Sequence, residues 1–349
     1  MIKPLTSLRF FFALFVLLSH LALLQGYENY RHIFEKIFAE GFLGVSFFFI
    51  LSGFILAYNY EHKFAEKKIT QKEFFIARLA KIYPMHFVTI LAALILSSFM
   101  DGSGKYVAQN VLLIQSFFPS EKIFFSLNAP SWSISDEMFF YLLFPFILLL
   151  RQKAKLAIFA TLFAIILMLN VFLSEEQKHY WLYISPLIRF SDFLLGMMLF
   201  NAYVKLKEWR NLKNWSLAYF EIVALMIFTV FFALHQFADM GLRYSVYYWI
   251  PMVLIILSFA LSSEEKQPTF LNRFLSNKHM VWLGEISFCF YLIHLLVIRL
   301  AEHTVAQYAL KMDGLLLSLI ILCISIGLSA LAFKYIEKPL NRKLKERFL

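Results

Sequence analysis

The sequence predicts an all-α, polytopic membrane protein with about ten transmembrane helices. Of its 349 residues, 60% are hydrophobic and only 16% are charged, and the mean hydropathy is +0.68. A soluble domain of ordinary composition is about 45–50% apolar and about 25% charged. The apolar residues, among them 42 phenylalanines, are also gathered into long runs. Since a helix needs about 20 mostly apolar residues to cross the hydrocarbon core, these runs predict membrane spans.

Ten apolar runs, separated by short polar segments, are the candidate spans. They comprise residues 5–24, 42–60, 83–100, 138–150, 156–173, 181–203, 215–234, 246–261, 281–300 and 315–335. The fourth run is short, and we expect it to take Asp136 and Glu137 as its first turn. We expect one membrane domain over residues 1–349, with no fused soluble domain and no cleaved signal peptide.

The basic residues are distributed unevenly over the polar segments. With the N-terminus in the cytoplasm, the cytoplasmic segments hold roughly three times as many Lys and Arg residues as the outer ones. This asymmetry explains the net charge of +10 without nucleic acid as a partner. We therefore expect a multi-pass protein of the inner (cytoplasmic) membrane, embedded in its lipid bilayer, with both termini in the cytoplasm.

Ionisable side chains inside a bilayer are costly and are functional candidates by default. The apolar runs and their edges contain seven: Arg9, His20, Glu137, Arg189, Asp192, Glu285 and His294. The two cysteines, Cys289 and Cys323, have neither the CxxC spacing nor the Cys/His spacing of metal ligands. We expect them to be small core residues, with no disulfide and no metal site.

Arg9 and His20 stand eleven residues apart in the first run. Three turns of an α-helix take about 10.8 residues, so the two side chains should share one face, about 16 Å apart along the axis. Arginine suits phosphate or carboxylate groups, and histidine suits proton transfer near neutral pH. The structural alternative is an arginine that extends to the interface and a histidine bonded to a neighbouring helix.

Glu137 follows an irregular segment, 128–136, that contains Pro130 and three serines. Ser135 is expected to cap the fourth helix, since serine accepts from helix-start amides. Glu137 is then either a capping acid at the outer surface or a carboxylate that orients His20 or contacts acceptor hydroxyls. Arg189 and Asp192 have the spacing of an ion pair within one helix.

Ser287, Tyr291 and His294 form a polar stripe at helical spacing on the ninth run. The stripe suits the lining of a cavity, or hydrogen bonds between helices. Arg78 and Lys81 stand where the third helix is expected to start, and cations beside helix-start amides form a phosphate site. An ordinary positive-inside anchor would look the same.

Six short motifs follow one another along the chain. They are Arg9 with His20, residues 44–54 (GVSFFFILSGF), 78–84 (RLAKIYP), 131–137 (SWSISDE), 284–294 (GEISF, then YLIH) and 335–339 (YIEKP). In this order they resemble the acyltransferase-3 family of integral membrane acyltransferases, which includes O-acetylases of bacterial surface polysaccharides. The resemblance extends from residue 5 to residue 339.

The resemblance implies acetyl-CoA or another acyl-CoA as a cytoplasmic co-substrate, no permanently bound cofactor, and an acceptor hydroxyl on an envelope glycan or glycolipid. His20 would be the base or acyl relay, assisted by Glu137. The residues implied in acyl-CoA binding are Arg9, Arg78, Lys81 and Tyr83. Those implied in acceptor binding are Trp132, Ser133, Asp136, Ser287, Tyr291 and His294.

Two features depart from the family pattern. Asp136 occupies a position that is usually apolar, which leaves open which acid acts. No soluble domain is expected after Pro339, so transfer would finish within the membrane domain or with a separate periplasmic acyltransferase. Two other functions stay open from the residues alone: a proton-coupled transporter, since intramembrane Arg, His and Glu also build proton relays, and a sensor or scaffold with an inactive site.

Overall fold

The computed structural model describes residues 2–100, 104–213, 217–265 and 267–349, and these are almost entirely helical. Helix accounts for 85% of the structure, and the described residues contain no strand. The predicted all-α class is confirmed. Trp215 and Ser216, the expected start of the seventh span, lie outside the described residues.

The α-helices differ widely in length. In chain order they are α1 (Lys3–Ser19), α2 (Glu28–Lys36), α3 (Leu43–Ala65), α4 (Gln71–Met100), α5 (Val107–Val111), α6 (Glu121–Phe124), α7 (Trp132–Leu148), α8 (Gln152–Phe172), α9 (Glu175–Lys178), α10 (Pro186–Lys213), α11 (Leu217–Leu234), α12 (Met240–Tyr244), α13 (Trp249–Ser262), α14 (Phe270–Leu275), α15 (Lys278–Gln307), α16 (Gly314–Ala332) and α17 (Lys338–Phe348). Short 3₁₀ turns cover Ala22–Gly26, Phe38–Phe42, Gln115–Phe117, Ala129–Ser131 and His235–Phe237, and π-helical turns cover His179–Ile184 and Phe333–Glu337.

Within the described ranges, eight helical stretches are long and apolar enough to cross a membrane. They are Phe38–Ala65, Gln71–Met100, Gln152–Phe172, Pro186–Trp209, Leu217–Phe237, Met240–Ser262, Lys278–Gln307 and Gly314–Phe348. Helices α1 and α7, of 17 residues each, overlap the first and fourth predicted spans. Both are somewhat shorter than the roughly 20 residues of a full span, so the predicted number of ten is approximate.

Helix α4 starts earlier than predicted. It begins at Gln71 and continues through Pro84 to Met100. Its start is stabilised by Thr70 and Glu73: the Glu73 carboxylate accepts from the Thr70 amide at 2.7 Å, and the Glu73 amide donates to the Thr70 hydroxyl at 3.2 Å. This reciprocal pair is a capping box. The prediction that helix-start amides lie beside Arg78 is therefore wrong.

Helix α7 also starts earlier, at Trp132, directly after a 3₁₀ turn that contains Pro130. Ser135 therefore lies inside the helix, and its hydroxyl donates to the carbonyl of Leu113 at 2.6 Å. The predictions that Ser135 caps this helix and that Asp136 lies in its first turn are wrong, because the proline turn initiates the helix four residues sooner.

The chain forms two compact units. The first comprises Met1–Phe12, Leu43–Lys68 and Leu143–Glu285, and the second comprises Ala13–Phe42, Ile69–Leu142 and Ile286–Leu349. In the first unit, α3 packs closely against α10. Gly53 lies against the backbone of Phe193, and Gly196 lies against the backbone of Ile50. Small residues at such crossings let two membrane helices approach at backbone distance.

Replacing Gly196 with alanine is expected to destabilise the protein by about 1–3 kcal/mol, because the added methyl would overlap the Ile50 carbonyl and force the helices apart. Gly327→Ala is the matched control, since Gly327 is also in a helix but has open space around it. There alanine should be neutral or stabilising, because it favours helix over glycine. Thermal unfolding of both variants in detergent measures the difference, and equal melting temperatures would contradict the packing argument.

The first unit also contains a buried ion pair. Arg189 Nη2 lies 2.8 Å from Asp192 Oδ2, and both side chains are 1% exposed. The guanidinium also donates to the Ser46 hydroxyl at 2.8 Å and to the Tyr244 carbonyl at 2.6 Å, and the Trp249 indole N–H donates to Asp192. The predicted pairing is confirmed, and it connects α3, α10, α12 and α13 within the unit.

Candidate active site

His20 follows directly after the last residue of α1. Its backbone N–H donates to the Leu17 carbonyl at 3.0 Å, which tightens the end of the helix. We predicted the spacing of Arg9 and His20 from an unbroken helix, but the helix ends at Ser19, one residue before His20. The ring Nδ1 lies 2.8 Å from the Val16 carbonyl. Because a carbonyl oxygen only accepts, Nδ1 must carry the proton. In the neutral ring, Nε2 is then unprotonated and basic.

His294 on α15 lies against His20. Its Nε2 is 3.3 Å from His20 Nδ1, and the two ring centroids are 5.1 Å apart. Its own Nδ1 lies 3.3 Å from the Phe290 carbonyl. One assignment satisfies all these contacts: both rings are protonated at Nδ1, and His294 Nε2 shares the His20 proton with the Val16 carbonyl. His294 is fully buried, so the contact orients the His20 ring.

The segment that precedes α7 is fastened to the same part of α15. The Tyr291 hydroxyl lies 2.8 Å from the Ser133 hydroxyl and 3.2 Å from the Pro130 carbonyl. The Asn128 side-chain amide donates to the Leu292 carbonyl at 2.8 Å. Since the Tyr291 and His294 ring centroids are 5.8 Å apart, Ser133, Tyr291, His294 and His20 form one continuous cluster. Trp132, which precedes Ser133 in the chain, is also buried, as is Ser287, one helical turn before Tyr291.

The two acids of α7 differ in environment. Asp136 is completely buried, whereas Glu137 is partly exposed and accepts a hydrogen bond from the Tyr141 hydroxyl at 3.2 Å. Within the described chain, the His20 ring nitrogens contact Val16 and His294 and no carboxylate. The prediction that Glu137 orients His20 is wrong, because the Val16 carbonyl of α1 accepts the hydrogen bond from His20 Nδ1. A contact of Glu137 with acceptor hydroxyls stays a prediction.

The predicted topology places residues 101–137 on the outer side; residues 104–131 of this stretch return alongside α4. The Tyr83 hydroxyl donates to the Val111 carbonyl at 3.2 Å, and His86 Nε2 lies 2.8 Å from the Asn110 carbonyl. Tyr83 is about 25 Å from the end of α4 at Met100, at about 1.5 Å per residue. We call residues 104–131 the returning segment. Irregular backbone at this depth is tolerated only where protein buries it or where it lines a polar cavity.

The returning segment supplies a set of buried polar residues that sequence reasoning missed. Gln115 donates to the Ser131 carbonyl at 3.0 Å, and the Ser116 hydroxyl donates to that of Ser135 at 2.7 Å. The amide oxygens of Gln115 and Asn128 are buried and have no hydrogen-bond donor among the described residues, so each keeps its capacity to accept. The many amide and serine side chains between residues 104 and 131 could have indicated this buried polar set from the sequence.

Lys81 forms an ion pair with Glu337, whose other oxygen accepts from the Cys289 thiol at 2.9 Å. Glu337 is only 2% exposed and Lys81 is 33% exposed. A cationic partner stabilises a carboxylate buried to this extent. Glu337 was missed as a site residue, although it lies in the YIEKP motif. The guanidinium of Arg78, one helical turn from Lys81, lies 6.0 Å from the Phe74 ring centroid.

The predicted site residues fall into both units. Arg9 is half-buried on α1 in the first unit, and every other predicted site residue belongs to the second. Within the second unit, the structure groups His20, Ser133, Tyr291 and His294 in one cluster, and Lys81 with Glu337 in another. Tyr83, predicted to bind acyl-CoA, uses its hydroxyl to hold the returning segment.

The family described as "Acyltransferase domain" matches residues 3–334. The chain belongs to this acyltransferase-3 family. The acyltransferase MdmB of Streptomyces mycarofaciens is 29% identical over 381 residues, covering 99% of this chain and 93% of its own length. The O-acetyltransferase OatA of Staphylococcus aureus is 21% identical over 346 residues, covering 89% of this chain. That alignment spans about half of OatA, 54% of its length. No solved structure matches.

The protein is therefore a multi-pass membrane acyltransferase, as the six motifs predicted. The comparisons support acyl or acetyl transfer as its chemistry. The alternatives of a proton-coupled transporter and of an inactive sensor or scaffold receive no support from them.

Proposed function

We propose that this acyltransferase moves a short acyl group, acetyl in the first instance, from cytoplasmic acyl-CoA to a hydroxyl of an envelope glycan or glycolipid. The observation that carries the proposal is the state of His20. Its Nδ1 proton is engaged by the Val16 carbonyl, which leaves Nε2 as a base. The name of the relative OatA, an O-acetyltransferase, supports a hydroxyl as the acceptor.

The chemistry follows from that state of the ring. Nε2 removes the proton of the acceptor hydroxyl while the hydroxyl oxygen attacks the thioester carbonyl carbon. A carbon–oxygen bond forms, the carbon–sulfur bond breaks, and the proton passes from Nε2 to the departing CoA thiolate. His294 acts as a positioning residue, because its contact with Nδ1 keeps the ring in one tautomer and orientation.

Two groups of residues in the second unit suit the two substrates. In the orientation favoured by the positive-inside asymmetry, Arg78 and Lys81 face the cytoplasm and bind the CoA phosphates. Ser133, Tyr291 and Glu137 supply the hydroxyl and carboxylate groups that suit hydrogen bonds to a sugar. In this topology the enzyme lies in the inner membrane with both termini in the cytoplasm, and Arg9 stays a predicted donor-binding residue.

Gene deletion tests the donor and acceptor classes together. Envelope glycans from wild-type, deleted and complemented cells would be treated with mild base, and the released acyl groups measured by mass spectrometry. We expect one ester-linked acyl group to disappear on deletion and to return on complementation. Purified enzyme in nanodiscs should then bind radiolabelled acetyl-CoA. Unchanged ester content in the deleted strain, or no binding of acetyl-CoA, would contradict the proposal.

A further inference from the structure

The C-terminal helix α17 brings additional basic residues to the Arg78–Lys81 cluster. It packs against α4, the helix that carries Arg78 and Lys81. Its start is fixed by Glu337, which precedes Lys338 and is held by Lys81 and by the Cys289 thiol. The start of α17 is thus attached at Lys81, and the helix packs along α4.

Lys345 is the basic residue of α17 that interacts with the cluster. It is half-buried, and its ammonium is within electrostatic range of both Arg78 and Lys81, which repel it. Among the described residues it forms no ion pair, whereas Arg342 on the same helix lies 3.7 Å from Glu346. Lys343 is exposed to solvent by comparison.

Three cations held within range of one another repel, and Glu337 is the acid that neutralises Lys81. A flexible lysine on a surface would ordinarily turn away from such neighbours. The arrangement becomes favourable when an anion with several charges is present, because its attraction to the cations offsets their mutual repulsion. Acyl-CoA is such an anion, because it bears a diphosphate and a separate phosphate monoester.

We infer that Lys345, contributed by the C-terminal helix, joins Arg78 and Lys81 in binding the phosphate groups of the acyl-CoA donor. The inference rests on the proposed function, from which it takes the identity of the donor. It extends the donor site to a helix in which the sequence indicated no site. The phosphate of an anionic lipid shares the same chemistry, so the experiment must separate the two sources.

Binding of radiolabelled acetyl-CoA to the full-length enzyme in phosphatidylcholine nanodiscs, which carry no net lipid charge, tests the inference. We expect Lys345→Gln to weaken binding about three- to fivefold, the effect of one partly exposed charge pair, and to reduce its salt dependence. Lys345→Arg should restore binding. Lys343→Gln, on the same helix but exposed, is the matched control and should bind like the wild type.

The outcomes separate the two levels of the proposal. Equal affinity of the wild type and Lys345→Gln, with both eluting as folded protein in size exclusion, overturns this inference alone. If that variant instead retains less phosphatidylglycerol during purification while acetyl-CoA binding is unchanged, the cluster binds lipid and the inference fails. If the wild type itself binds no acetyl-CoA, the proposed donor is wrong and the inference fails with it.

Discussion

Replacing His20 with alanine is expected to lower the rate of acyl transfer by about 10²–10⁴-fold, the usual contribution of a general base. The substitution removes Nε2, the nitrogen that carries the lone pair in the tautomer fixed by the Nδ1–H···Val16 carbonyl hydrogen bond. Acetyl-CoA binding should be retained, because the cations at Lys81 and Arg78 are untouched. Ester-linked acyl groups in cells that carry the variant, and label transfer from acetyl-CoA in nanodiscs, measure the loss.

His32→Ala is the matched control for this experiment. His32 lies on α2, shortly after His20 in the chain, and is exposed to solvent. Its replacement should leave transfer unchanged. His294→Gln should reduce the rate less than His20→Ala and alter its pH profile, since the His20 ring then loses one of the two groups that fix its tautomer. Full activity of His20→Ala at wild-type protein levels would exclude His20 as the base.

Replacing Arg189 with methionine is expected to destabilise the protein by about 3–5 kcal/mol, because Asp192 would be left as a buried charge without its cation. The pair is 1% exposed on both sides and is held further by Ser46, Tyr244 and Trp249. Unfolding in detergent, followed through tryptophan fluorescence, reports the change.

The double variant Arg189→Met with Asp192→Leu should recover most of this loss, because replacing both members of a buried ion pair by apolar residues is often neutral. The exposed pair Arg342–Glu346, with side chains 74% and 67% exposed, supplies the control. Its removal should change stability by less than about 1 kcal/mol. A large additive loss in the double variant would show that the packing of the two side chains matters more than their charges.

Much of the fold was predictable because hydrocarbon selects for continuous apolar helices, which leave a clear trace in composition. The Arg189–Asp192 pair was predictable for a similar reason, since both residues lie on one helix and local geometry brings them together. The early start of α4 could have been predicted from Thr70 and Glu73, which have the spacing of a capping box. The apolar run at 83–100 gave a later helix start than the capping residues indicate.

The candidate site was harder to predict because its contacts join distant parts of the chain. His20 meets His294, Lys81 meets Glu337, and Asn128 meets the carbonyl of Leu292. Helical periodicity states which face a residue occupies, and it says nothing about which other helix lies opposite that face. The motif order identified these residues as candidates, but the partner of each one became visible only in three dimensions.

The returning segment has a consequence for how the enzyme is made. Residues 104–131 leave the ribosome soon after α4, yet their carbonyl and amide groups cannot enter hydrocarbon alone, since each unsatisfied group costs several kcal/mol there. Their docking surface includes α15, which is synthesised more than 150 residues later, as the bond from Asn128 to Leu292 requires. The segment must therefore wait outside the bilayer core until nearly the whole chain is inserted. The contact of His20 with His294 on α15 likewise forms only after α15 is made, so a chain that lacks α15 would have an incomplete candidate site.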